Sequence, residues 1–305
     1  MGTINTGSFA KALWPGVNKF YSDAYNEYPI EFTMLFDKET STKAYEEDVG
    51  VMGFGLADVT GQGEGVLYDT ASQTYTNRYI HLKYTKGFII TEEAMDDAQY
   101  DVSVLGRKDA KALAFSMRQT KEIVAANIYN RFTTAGYTYG DGVVLGSAAH
   151  PLFGGGTFSN MPAVACDLSE AALEQAVIDI AGFVNDRGLK VAILPKTLII
   201  PKELIFEAER ILKSVLQSDS ADNNINALRN LNMFPGGAKV NHYLTDSDAW
   251  FIRTNCPDGM KYFERKADSF AMDNDFDTAN AKFKASARYS FGNTDPRGIY
   301  GSSGA

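Results

Sequence analysis

Cysteine is nearly absent from this 305-residue sequence: Cys166 and Cys256 stand far apart, without a CxxC pair or a histidine at ligand spacing. That argues against a disulfide framework or a zinc site and leaves two buried free thiols as the expectation. Histidine is scarce as well, with His81, His150 and His242 in unrelated stretches. No apolar run of about 18 residues occurs, and the opening MGTINTGSFAK lacks the apolar core of a signal peptide. The chain is therefore expected in a cytoplasm and not in a membrane. Gly2 loosely fits a myristoylation pattern, but no second anchoring signal follows it. A formal charge of -9 opposes a protein that grips nucleic acid over a wide basic face, while leaving local basic patches open. No nucleophile motif, GxSxG elbow or phosphate loop is present, and lysine is missing altogether between Gly50 and Arg78.

What is present is ordinary globular material, 45% hydrophobic and 22% charged, long enough for one large domain or two modest ones. The longest helical pattern runs from Asp101 to Thr134. Leu105, Leu113, Met117, Val124, Ile128 and Phe132 fall on one stripe, and no proline interrupts them. Such a helix would span roughly 45 Å and needs a sheet or a partner along its length. Arg107, Lys111, Arg118 and Lys121 lie off the stripe and predict a basic flank.

Residues 1 to 48 mix aromatics with charges and hold no sustained period, which suggests an arm laid on another surface. From Gly50 to Arg78, glycines and the turn TGQGEG predict a long hairpin or extended loop. Asp58, Glu64 and Asp69 make that loop acidic, the wrong sign for a phosphate cradle. Arg78 to Lys86 alternates as a half-buried strand with Ile80, Leu82 and Tyr84 inward. Thr91 to Met95 resembles a helix start.

After Thr134, SAAHPLFGGGTFSN places His150 before a proline turn, where a bracing role is the plainer reading than a base. Asp167 to Gly188 predicts a second helix, capped by Asp167 with Glu170 and stopped at Gly188. VAILPKTLIIP predicts two strand pieces split by Pro195. Pro201 opens a third helix, with Leu204 or Ile205, Ala208, Ile211 or Leu212, and Val215 inward. Ser218 to Asn226 reads as a polar loop. Lys282 to Phe291 carries the cleanest alternation in the chain, and its natural partner is the strand at 78–86, both covered by the long helix.

This order, with the words SAAHPLFGGGTFSN and GMKYFERKADSFAMDNDFDTANAKFKASARYSFGNTDPRGIYGS, resembles the major capsid proteins of tailed phages, including relatives of the Mu-type head subunit. The fold the resemblance implies is α+β and HK97-like: an N-arm at 1–48, an extended E-loop hairpin at 49–78, and a peripheral domain at 79–135 and 262–305. The spine helix would be 101–134, and 136–261 an inserted α/β axial domain. It implies a major head subunit that self-assembles into hexamers and pentamers, forming the icosahedral shell around double-stranded DNA. It needs no cofactor or metal and no catalytic residue. Expected partners are copies of itself, a separate scaffolding protein, a portal, optionally a decoration protein, and packaged DNA through weak non-specific contacts. Assembly would occur in the host cytoplasm and the product would be the virion capsid. Without a loop lysine, the isopeptide chainmail of the type member is not expected. The same fold would also suit an encapsulin-like nanocompartment, and a cytoplasmic α/β enzyme using His150 is the reading from another class. Between subunits, the acidic Asp58, Glu64 and Asp69 are expected to dock over Arg107, Lys111 and Arg118 of a neighbour, setting register and rate more than stability.

Overall fold

The computed structural model of the protein describes residues 10–91, 93, 102–217, 224–275, 278 and 280–305. Its main helices are α1 (Ala10–Glu27), α2 (Phe32–Leu35), α3 (Val102–Asn130), α4 (Glu170–Ala181) and α5 (Ile205–Lys213). The first strands are β1 (Asp37–Thr40), β2 (Tyr45–Met52), β3 (Ser72–Ile80) and β4 (Leu82–Ile90), followed by short β5 (His150–Pro151) and β6 (Thr157–Phe158). The remainder are β7 (Pro195–Ile200), β8 (Ala238–Val240), β9 (Trp250–Thr254), β10 (Met260–Asn274), β11 (Ala281–Asn293) and β12 (Ile299–Ser302).

Helix α3 serves two sheets. The first has the order β1-β10-β11-β4, and β11 runs antiparallel to β4 from Ala281↔Ile90 to Tyr289↔Leu82, the pairing its alternation calls for. Its inner face puts Ala285, Ala287 and Tyr289 in one buried cluster with Ala110, Leu113, Ala114 and Met117 of the helix. The alanines let the helix sit close to the sheet, and burial of this face is the main favourable term. The second sheet has the order β12-β9-β7-β8. All five residues of β9, WFIRT, are buried, as a central strand covered on both sides requires. Trp250 and Ile252 join Leu173, Ile180, Ala208 and Ile211 beneath α4 and α5. Phe251 turns the other way and meets Tyr129 and Phe132 edge-on, with ring centroids 5.3 and 5.2 Å apart.

Several expectations change. The arm does lay its aromatics on a surface, but the surface belongs to the same chain. Tyr21, Ala24, Phe32, Leu35 and Phe36 are buried in the α3 cluster, Tyr21 stacks on Phe270, and Tyr129 Oη donates to the Leu35 carbonyl at 2.9 Å. The predicted strand 78–86 is two strands broken at His81. Tyr79 and His81 are buried while Ile80 and Leu82 are exposed, so the alternation is inverted at the break. Helix α4 is capped by Ser169, whose Oγ accepts from Ala172 N, because Asp167 is instead engaged by Ala305 N. Gly188 closes a turn after the helix at φ +76° and does not end it. Pro195 opens one strand and does not split two, and Val215 lies beyond the end of α5 and is exposed. The last strand, β12, pairs with β9 and so joins the second sheet, unlike the rest of 262–305. Cys166 and Cys256 are free but only half-buried. The expected helix start at Thr91 to Met95 and the polar loop at 218–226 lie largely outside the described residues; of the loop, Asn226 is buried and caps the short helix Ala227–Asn230.

Because Leu35 is fully buried between arm and helix, Leu35→Ala should lower unfolding stability by about 2–5 kcal/mol in urea titrations. A loss below about 0.5 kcal/mol, the range of ordinary surface changes, would detach this part of the arm from the core.

Candidate assembly surface

Strands β2 and β3 form the expected hairpin, paired from Tyr45↔Ile80 to Met52↔Ser72 with a bulge at Gly50. A Cβ on Gly50 would lie 2.2 Å from Thr74 Oγ1, so any other residue at the bulge would have to turn the threonine side chain aside. Beyond Met52, residues 53–71 project without further strand, and Leu56, Val59, Val66, Leu67 and Tyr68 are more than two-thirds exposed. An apolar tip of this size covers nothing among the described residues of its own chain.

The hairpin is held at its neck and at its root. At the neck, Arg187 donates from Nε to the Gly53 carbonyl (3.1 Å). Its Nη2 donates to the Thr70 carbonyl (2.7 Å) and to Asp69 Oδ1 (3.2 Å). Asp69 also accepts the Gly55 and Thr70 amides, and these bonds, with Arg187, hold its carboxyl below the usual range. At the root, Lys261 Nζ lies 2.8 Å from Asp48 and 2.7 Å from Asp258, and Thr294 Oγ1 donates to Asp48. His81 sits at the strand break, buried, with Nε2 3.0 Å from Ser41 Oγ and Nδ1 2.9 Å from Ser290 Oγ. Ser41 Oγ is also 2.7 Å from the Glu46 carboxylate, which can only accept, so the hydroxyl is the donor there. Nε2 of the imidazole therefore carries a proton, and burial first, then the Arg288 charge, pushes the ring's pKa down.

The three acids and three cations of the expected docking pair do not behave alike. Asp58 and Glu64 are exposed at the tip, where Glu64 accepts the Gly61 amide at 2.9 Å. Asp69 is committed to Arg187. Arg107 and Lys111 are exposed on α3, and Arg107 lies over the Phe20 ring. Arg118 is buried: it stacks on Tyr25 and Phe32 and lies 3.7 Å from Glu122, because the arm covers the flank that helical spacing leaves open. Lys121 is buried likewise, against Glu264 and the rings of Phe32 and Tyr262. Arg187 carries no signal in the sequence: the expected helix from Asp167 to Gly188 places it in a last helical turn, and no local pattern points to a partner so distant in sequence.

A cleft of about 490 Å³ lies between the hairpin stem and the loops at 185–193, 256–258 and 293–297. His150 borders it as a brace, with Nδ1 2.6 Å from Asp141, Nε2 donating to the Leu145 carbonyl and the ring stacked on Phe158. The cleft's other aspartates are likewise paired, Asp186 and Asp295 with Arg297, Asp48 and Asp258 with Lys261.

A family model described as phage capsid protein matches residues 75–302. Among solved structures, a virus-like particle from Pyrococcus furiosus is 13% identical with a TM-score of 0.52, covering 93% of this chain and 97% of its own. Mycobacterium phage Che8 is 15% identical, with 90% of each chain covered and a TM-score of 0.52. Microbacterium phage Oxtober96 is 9% identical, covering 91% and 93%, with a TM-score of 0.54. At these identities the likeness shows a shared fold. No curated protein matches the sequence.

Arg187→Ala should speed amide hydrogen exchange at residues 53–71 and leave α3 unchanged; equal exchange in both proteins would show that the neck is held by other means. The lowered His81 pKa gives a second outcome. Its contribution to stability is intact above the unfolded value of about 6.5 and is lost as pH falls through it. Urea unfolding should therefore weaken more in mild acid for the wild type than for His81→Gln, and parallel pH curves would dismiss the assignment.

Proposed function

The chain belongs to the phage capsid protein family, and from that premise we propose how its surfaces build a shell. It is a major capsid protein, a structural subunit that forms an icosahedral shell and not an enzyme. The first sheet with α3 is assigned as the peripheral domain and α3 as its spine. Residues 136–261 together with β12 are assigned as the axial domain, residues 49–78 as the E-loop, and the segment up to residue 48 as an N-arm whose latter part is anchored on its own subunit. Hexamers and pentamers, an enclosed double-stranded DNA genome, a separate scaffold, a portal and assembly in the host cytoplasm belong to the same reading.

The observation that carries it is the projecting apolar tip. Its natural cover is a second copy of the chain, since a hairpin pinned only at neck and root presents the same patch on every subunit and a ring of copies can satisfy all of them. Asp58 and Glu64, not Asp69, would steer that contact toward Arg107 and Lys111 of the neighbour. Such exposed pairs are worth only about 0.2–1 kcal/mol each, so the apolar residues supply the adhesion. A family model of phage capsids favours a genome over protein cargo as the content.

Negative-stain microscopy of the protein expressed with and without a candidate scaffold should show closed particles. Replacing Val66, Leu67 and Tyr68 by serine should reduce them to free subunits or capsomers with unchanged circular dichroism. Particles of normal yield from that variant would remove the tip from the contact, and a wild type that stays monomeric under every condition would overturn the reading.

A further inference from the structure

The inner face of the first sheet is closed by α3; its outer face is open beyond the hairpin root. Directly opposed residues of an antiparallel pair share a face, so the register fixes what that face presents. Arg288 of β11 stands opposite Lys83 of β4 on one side and Lys266 of β10 on the other, a row of three cations across three strands. The next row is Thr85, Ser286 and Ser269, all hydroxyls, and the next carries Lys284 opposite Gly87 and Ala271. Lys83, Lys266 and Lys284 are exposed, and no acid is ion-paired to Lys83 or Lys284 among the described residues. Acids flank these rows at both ends: exposed Glu39 opposite Phe263 on the root side, and at the far end Asp273 opposite Lys282, with Asp275 2.6 Å from Lys282.

Like charges placed directly opposite cost stability. In a chain whose formal charge is -9, such a row is out of character with the rest of the surface. We propose that this open sheet face binds the phosphate backbone of double-stranded nucleic acid. The inference rests on the shell reading, which puts a polyanion within reach, and it adds the face that meets it.

The chemistry favours that occupant over an acidic protein segment. Lysine, arginine and a row of Ser and Thr hydroxyls are the side chains that contact phosphate oxygens without reading sequence. Gly87 and Ala271 keep the face flat enough for a broad rod. No aromatic ring stands among these rows, so the stacking platform of single-strand binders is missing. The chain's own acidic element, the hairpin tip, is mainly apolar and would find little to bury here beyond Ile89.

The test is fluorescence polarisation of the full chain with a labelled duplex of arbitrary sequence over a salt series, against Lys83→Gln/Lys284→Gln. Polyglutamate and a single strand of the same length serve as competitors, and particle formation is read by microscopy on the same preparations. The duplex should bind with affinity falling as salt rises, and the double variant should lose roughly 1.8 from the slope of log K against log salt. An unchanged slope would overturn the inference, as would polyglutamate or single strand competing better than duplex. Lys83→Arg/Lys284→Arg should retain the wild-type slope, which separates loss of charge from loss of fold. Wild-type particles that form while the slope criterion fails would reject this face alone; absent particles would indict the shell reading.

Discussion

The structure depends on one helix being buried by two sheets at once. Along its first three turns of described side chains α3 closes the inner face of the first sheet, and at its far end Tyr129 and Phe132 press edge-on against Phe251. Phe251 can reach them only because β9 is covered on both sides, Trp250 and Ile252 turning to the α4 and α5 layer and Phe251 turning back. The two cores are therefore not independent: removing the contact at Phe251 would leave each sheet with a bare strip of apolar surface. Tyr129 reinforces the junction by donating to Leu35, which brings the chain's opening segment into the same arrangement.

The same dependence explains which charges are spent internally. Glu122 accepts the amides of Glu31 and Phe32 at 3.2 and 2.8 Å and so fixes α2 on the long helix. Arg118 and Lys121 lie under aromatic rings in the same seam, where they are desolvated but face both carboxylates and π-systems. Removing one partner of such a set costs more than the set contributes, because a charge is left buried alone. On the outer sheet face, by contrast, Lys83 and Lys284 have no ion-pair partner among the described residues.

Elements with a strong period were legible from residues alone: the long helix, the hairpin, the strand at 282–291 and its partner. Failures came where tertiary contact overrides local pattern. The stripe on α3 could be counted, but nothing in its spacing says that Tyr25 and Phe32 fold back over Arg118. Tyr79 to Tyr84 alternates perfectly, yet a break at His81 reverses which residues face inward, and a single strand period cannot reveal a break that preserves it. Asp69 looked like its neighbours Asp58 and Glu64 until Arg187 arrived from a distant turn. Beyond the end of α4, Gly154 approaches Asp186 so closely that a Cβ would sit 2.2 Å from its carbonyl oxygen, a backbone contact that no local pattern announces.

The interruption at His81 has a mechanical meaning. A ribbon that ran unbroken from β3 into β4 would bend only by flexing along its whole length, whereas a pin between two stiff rods lets one swing while the other stays put. With roughly 30 Å of β3 acting as the lever, a swivel of about 10° at the pin would carry the far end by about 5 Å. The joint is latched, however: Arg187 at the neck and Lys261 with Thr294 at the root must let go before any such swing.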